Sequence, residues 1–291
     1  MGELKGCYLM PQAPILLPEI GEEQIKNVKN TFNACYEVAS DVAHKVPDTI
    51  IIVTPHASLS GDTIAISIDD VLYGNFDEFG NEQIGIECKI DKVLTEKVAE
   101  YAIQNKISTI KLGKNSAKVY GVGVELDYGS MVPLYFINKK YKDYKVVNIT
   151  YGLLSKLDLY KFGMIIRKAI NDSPSNVVLI ASGDFSHCLS DEGQYNYHED
   201  GEKFDKKLIS LLEEGNEVEI FNLDSSIIQN VSQYGLKSCY IILGAINGND
   251  IKGKLLSYEG PFGVGYGVMK FEIENMRTNI SGDVFGDVEI I

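Results

Sequence analysis

The sequence predicts an α/β fold, a three-layer sandwich around a central mixed, largely parallel sheet, and two observations carry that expectation. Apolar runs of strand length alternate along the chain with longer segments of helical periodicity. Two further stretches, 61–68 and 255–273, look like strands beside glycine-rich turns, which suits antiparallel additions at a sheet edge. Taken in order, 22–44 has the pattern of a helix and 48–54, containing Ile50-Ile51-Ile52-Val53, that of a buried strand. Helix 91–105 leads to strand 107–112, and helix 131–140 to strand 144–150. Helix 156–171 leads to strand 176–182, and helices follow at 201–214 and 234–246.

The chain of 291 residues is long enough for one full hydrophobic core, and 1–274 reads as one domain. No internal repeat or linker interrupts it. The remaining 275–291 is polar and glycine-containing, the composition of a loosely held tail.

Composition narrows the function. The formal net charge of -14, without a basic stripe, argues against nucleic acid as a partner. No stretch approaches the ~20 apolar residues of a membrane span, and residues 1–17 lack a signal-peptide pattern, so a soluble cytoplasmic protein is expected. The five cysteines are scattered and form no CxxC pair, which reads as reduced thiols and not as a zinc site or disulfide framework.

Ligand sites in open α/β sheets lie beyond the carboxyl ends of strands. Two predicted strands end in histidine: Thr54-Pro55-His56 follows one, and Gly183-Asp184-Phe185-Ser186-His187 follows another. Both imidazoles are expected to face one cleft. A lone histidine is more often a loop residue hydrogen-bonded to backbone, and it is the shared strand-end position that separates these two from His44 and His198. Asp184 could orient an imidazole or equally cap a turn. The glycines of 260–267 precede a strand pattern and lack Gly-Lys-Ser/Thr, so a bulged turn or a glycine-rich strand is expected there, not a phosphate cradle.

Five motifs occur in order: 10–19 (Met-Pro-Gln-Ala-Pro-Ile-Leu-Leu-Pro-Glu), Thr54-Pro55-His56, 125–134 (Glu-Leu-Asp-Tyr-Gly-Ser-Met-Val-Pro-Leu), 181–187 (Ala-Ser-Gly-Asp-Phe-Ser-His) and 257–266 (Ser-Tyr-Glu-Gly-Pro-Phe-Gly-Val-Gly-Tyr). Together they resemble the LigB-like class III extradiol ring-cleavage dioxygenases, a family related to Memo-type proteins, over 6–271.

That resemblance implies a ferrous ion held by two histidines and a glutamate, with a small aromatic molecule as substrate. The three metal positions fall on Gln12, His56 and Gln233, so amides stand where a histidine and the glutamate are expected. A neutral amide oxygen is a poor ferrous ligand, and iron binding is expected to be weak or lost. Of the catalytic positions, His187 matches the proton-shuttling histidine, Tyr128 stands in place of a second histidine, and Asp184 lies beside them.

Three functions stay open. One is ring cleavage with altered ligands, a second is small-molecule binding or scaffolding on the same fold, and a third is metal-free catalysis by His187 and Asp184 with Cys188 or Ser186. The family contains homodimers and assemblies with other subunits, so a homo-oligomer is possible.

Overall fold

The computed structural model describes residues 1–56, 61–191, 195–231, 235–247 and 252–273. In chain order, β1 (Glu3–Met10) leads through α1 (Pro18–Gly21) to α2 (Lys29–Lys45), then β2 (Thr49–Thr54) and β3 (Ile64–Ser67). The hairpin β4 (Val71–Phe76) and β5 (Asn81–Lys89) precedes α3 (Lys92–Gln104), β6 (Thr109–Leu112), α4 (Lys114–Tyr120) and α5 (Tyr128–Asn138). Next come β7 (Lys145–Tyr151), α6 (Lys156–Asn171), β8 (Asn176–Ser182), α7 (Asp200–Glu214), α8 (Glu217–Phe221), α9 (Ser225–Asn230) and α10 (Gly235–Ala245). The chain closes on β9 (Lys252–Glu259) and β10 (Tyr266–Glu272).

Eight strands form one sheet in the order β6-β3-β7-β2-β8-β1-β10-β9. The four central strands, β7, β2, β8 and β1, run parallel. β10 and β9 add antiparallel at one end, and β3 lies antiparallel to β7 at the other, which gives the mixed sheet that the sequence predicts. β2 is buried along its whole length because helices cover both faces, the usual condition of a central parallel strand.

Alternation divides its residues between two cores. Ile51 and Val53 join Leu9, Leu179, Ile165 and Ile241 under α6 and α10. Ile50 and Ile52 join Met10, Ile180, Val38 and Phe136 under α2 and α5. These are the outer layers of the sandwich.

Several boundaries depart from expectation for local reasons. The segment 22–44 is not one helix: 3-10 turns occupy Glu22–Val28, where Glu22 has φ 44, and the α-helix starts at Lys29. α5 begins three residues before the predicted 131, because Asp127 accepts a hydrogen bond from Ser130 N and caps it. β6 is an edge strand and only half-buried, not an interior one. The β4–β5 hairpin had no counterpart in the sequence reading; its exposed residues blur the alternation that would announce it. The predicted tail, 275–291, lies outside the described residues.

α6 and α10 cross at a backbone-to-backbone contact. A Cβ at Gly163 would come within 2.1 Å of Ile241 O, and one at Gly244 within 1.9 Å of Tyr160 O. This close crossing holds the start of α10 against the end of β8, where Ser238 Oγ donates to Ser182 O at 2.7 Å.

Candidate active site

The three strands that carry the predicted residues are immediate neighbours, β2-β8-β1, and run in the same direction. Their carboxyl ends therefore bring His56, Asp184, His187 and Gln12 to one edge of the sheet. Gly183 N donates to Met10 O at 3.0 Å, which ties the loop after β8 to the end of β1. Gln12 N donates to Asp184 Oδ1 at 3.1 Å. Gly235 N, at the start of α10, donates to Asp184 O at 2.7 Å, so this residue links strand ends and helix.

Gln12 is only 2% exposed. Its Oε1 is buried and accepts no hydrogen bond from the described residues, a costly arrangement for an amide carbonyl unless a donor arrives from elsewhere. Burial pushes the Asp184 carboxyl up to about 7, partly opposed by the Gln12 N–H. This acid therefore changes charge close to neutrality.

His56 lies two residues beyond β2, and its ring sits 4.1 Å, centroid to centroid, from that of Tyr128, tilted by 47°. Tyr128 opens α5, and Phe79 meets its ring edge-on at 5.3 Å. Gly129 is required at this contact. A Cβ there would lie 2.4 Å from Thr54 Oγ1 and 2.8 Å from His56 Cδ2.

Burial lowers the His56 imidazole below its ordinary range, while the Asp127 carboxylate raises it. Asp127 is held by Thr54 Oγ1, which donates to its Oδ1 at 2.9 Å, and by Ser130.

His187 is lowered first by burial, while its bond to the Phe185 backbone raises it and the charge of His56 lowers it further. Both imidazoles are thus favoured in the neutral form. His187 Nδ1 lies 3.0 Å from Phe185 O. A carbonyl can only accept, so Nδ1 carries the proton and Nε2 keeps its lone pair.

The loop that presents His187 is fastened on several sides. Phe185 N donates to Gly265 O, Gly265 N to Ser186 O, and His187 N to Val231 O. Beneath it, Asp205 of α7 is 0% exposed and accepts from Ser186 N at 2.9 Å, Ser186 Oγ at 2.7 Å and Tyr258 OH at 2.6 Å. Sequence reading missed Asp205 and Asp127. Each belongs to an ordinary helical or capping pattern, and only the fold aims their carboxylates at the loops carrying His187 and His56.

Other expectations resolve plainly. Gln233 lies outside the described residues. Glu259, an acid available in principle for a metal, is committed elsewhere, its carboxylate accepting from Asn30 and Thr31 at the start of α2. Ser186 Oγ donates to Asp205 and not to His187. Cys188 Sγ contacts His198 O at 3.8 Å, and burial raises its thiol, which removes the basis for a thiolate nucleophile. Of the glycine segment 260–267, residues 260–265 form the turn between β9 and β10 and Tyr266 and Gly267 begin β10, whose pairing with β9 shifts register between Val268 and Met269.

Among the described residues, no group of three or more His, Cys, Asp or Glu side chains is arranged to hold a metal ion. No helix among them is long and apolar enough to cross a membrane. All five cysteines are buried and unpaired with one another.

Fold and site together define an α/β protein whose parallel strands bring two imidazoles, a phenol and a buried acid to one edge of the sheet. Residues 6–269 match the family of the catalytic LigB subunit of aromatic ring-opening dioxygenases, and the chain belongs to that family. It is 46% identical to Protein CA_C1420 of Clostridium acetobutylicum over 276 residues, 95% of this chain. The match spans 59% of that relative's length.

A shorter stretch of 123 residues, 39% of this chain and 44% of the relative, is 33% identical to 3,4-dihydroxyphenylacetate 2,3-dioxygenase of Escherichia coli. The crystal structure of the uncharacterized protein JW3007 from Escherichia coli K12 shares the fold, with a TM-score of 0.61 at 12% identity, covering 91% of this chain and 99% of that one.

Proposed function

We propose that this chain uses the LigB cleft to bind a small phenol-bearing aromatic molecule, and that the tightly held ferrous iron of ring-cleaving relatives has been lost. The observation carrying this reading is Gln12. By resemblance to the family, an uncharged amide replaces a metal ligand two residues beyond β1, with its carbonyl oxygen buried and no donor from the described residues. Ferrous iron in such sites is held by two imidazoles and a carboxylate. Here His56 is the one imidazole at a metal position, and Gln233 supplies a second amide in place of the carboxylate. These residues do not fit the ion.

The cleft still suits a phenol. The Tyr128 ring, braced by His56 and Phe79, offers an aromatic wall. His187 Nε2 is an acceptor for a phenolic hydroxyl, and Gln12 Oε1 is a second acceptor for a neighbouring hydroxyl. With His187 neutral and Asp184 titrating near 7, the cleft can take a proton from a bound phenol without introducing net positive charge.

A second reading keeps ring cleavage with altered ligands, and the similarity to 3,4-dihydroxyphenylacetate 2,3-dioxygenase favours it. There His187 would serve as acid and base beside the substrate hydroxyl. Anaerobic titration with ferrous iron, followed by catechol or protocatechuate and oxygen, separates the two. The binding reading expects saturable ligand binding, no sub-micromolar iron affinity and no ring-opened product. Tight iron uptake with oxygen consumption would establish cleavage instead.

Assembly into a homo-oligomer and residence in the cytoplasm belong to the same proposal. Sedimentation of the purified chain tests the first.

A further inference from the structure

His187 can serve as a base at Nε2 only while its ring keeps one orientation. With Nδ1 bonded to Phe185 O at 3.0 Å, Nε2 holds the lone pair and accepts. A half-turn of the ring would set a carbon against that carbonyl, and either nitrogen could then carry the proton. A single hydrogen bond of this kind favours one orientation by only about fivefold. A second contact is therefore needed to fix the ring.

The chain leaves His187 and is brought back beside it. Leu189 N donates to Gly263 O at 3.0 Å and His198 N to Cys188 O at 2.9 Å, so the segment between Cys188 and His198 is closed at its base. Its returning end is held by Tyr197 N, which donates to Asp191 Oδ1 at 2.9 Å, and by Gly201 N at the start of α7, which donates to His198 O at 3.0 Å. This closure sets the ring of Tyr195 against the imidazole of His187, centroids 5.9 Å apart and planes at 85°, edge to face. Tyr195 is half-buried, whereas Tyr197, two residues on, is 56% exposed. Rings that meet edge to face prefer that mutual geometry, so the contact orients the imidazole as well as covering it.

We propose that Tyr195 is a further positioning residue of this site, whose ring holds the His187 imidazole on the Phe185 carbonyl and so keeps Nε2 as the proton-accepting atom. Tyr195 acts through His187 and requires no contact with a ligand. The inference needs only the geometry around His187 and stands apart from the phenol-binding reading above.

Proton–nitrogen NMR of the whole chain, labelled at histidine and held at about pH 8 without ligand or metal, reads which nitrogen is protonated in each of the four imidazoles. His187 is expected in the Nδ1–H form. In Tyr195→Ala and Tyr195→Leu, the ratio of that form to Nε2–H should fall by about two- to tenfold, the range that an aromatic contact supplies. Tyr195→Phe keeps the ring and should keep the Nδ1–H form. Unmoved signals from His44, on α2, together with circular dichroism, check that each variant is folded. An unchanged ratio in both the Ala and Leu variants would overturn the proposal. So would loss of the Nδ1–H form in Tyr195→Phe, which would give the role to the hydroxyl, or an Nε2–H form of His187 in the unaltered chain.

Discussion

Gln12 shows how one side chain separates fold from chemistry. Its backbone N–H keeps a structural duty, donating to Asp184 Oδ1, while its buried side chain is the amide that we propose replaces a metal-binding histidine of the family. Replacing an imidazole by an amide preserves a hydrogen-bonding group but removes a strong nitrogen donor. Restoring the pattern by Gln12→His with Gln233→Glu is expected to raise ferrous iron affinity by at least about tenfold, about 1.4 kcal/mol. Anaerobic titration reads the result; an unchanged affinity would mean that these two positions do not face a common ion. The histidines were legible in the sequence because each follows a strong strand. Asp127, whose carboxylate raises His56, was not, since its local signal is that of a helix cap.

At the scale of elements, the site depends on how closely α10 can lie on α6. Gly163 and Gly244 let the two backbones touch, and a methyl group at 244 would collide with Tyr160 O, a backbone atom that cannot swing aside. Gly244→Ala is expected to cost about 2 kcal/mol, as overpacking commonly does, and to loosen the α10 contacts with Asp184 and Ser182. Urea denaturation with ligand titration checks both consequences; a variant with the original unfolding midpoint would show that the helices separate at little cost. Helix periodicity made α6 and α10 legible as elements. Their crossing was not, because a helical pattern shows which face is apolar but not which other helix that face meets.

Across the whole molecule, buried carboxyl groups couple stability to pH. Burial pushes the Asp205 carboxyl up to about 6, against the hydrogen bonds from Tyr258 and Ser186 that lower it, whereas the unfolded chain holds an Asp near ~3.9. The folded state therefore keeps a proton that the unfolded state has released between about pH 4 and 6. Stability from this group is complete below about pH 4 and is lost as pH rises through about 6. In urea unfolding of wild type and Asp205→Asn, the difference should move against the wild type between pH 4 and 7. A constant difference would show that Asp205 does not titrate in this range. Because Asp205 holds Ser186, next to His187, the same protonation links the stability of the fold to the geometry of the cleft.

The sequence by itself determined the fold class, the strands that end in histidine and the ordered motifs of the LigB family. Each of these is written in local periodicity or in residue identity, and neither needs a distant partner to be read. Tertiary structure alone decided that β2, β8 and β1 are neighbours and that Asp184 meets Gln12. It also decided that Glu259 caps α2, its carboxylate accepting from Asn30 and Thr31. Those outcomes depend on contacts between residues far apart in the chain, which strand pairing and helix packing select together and no single segment encodes.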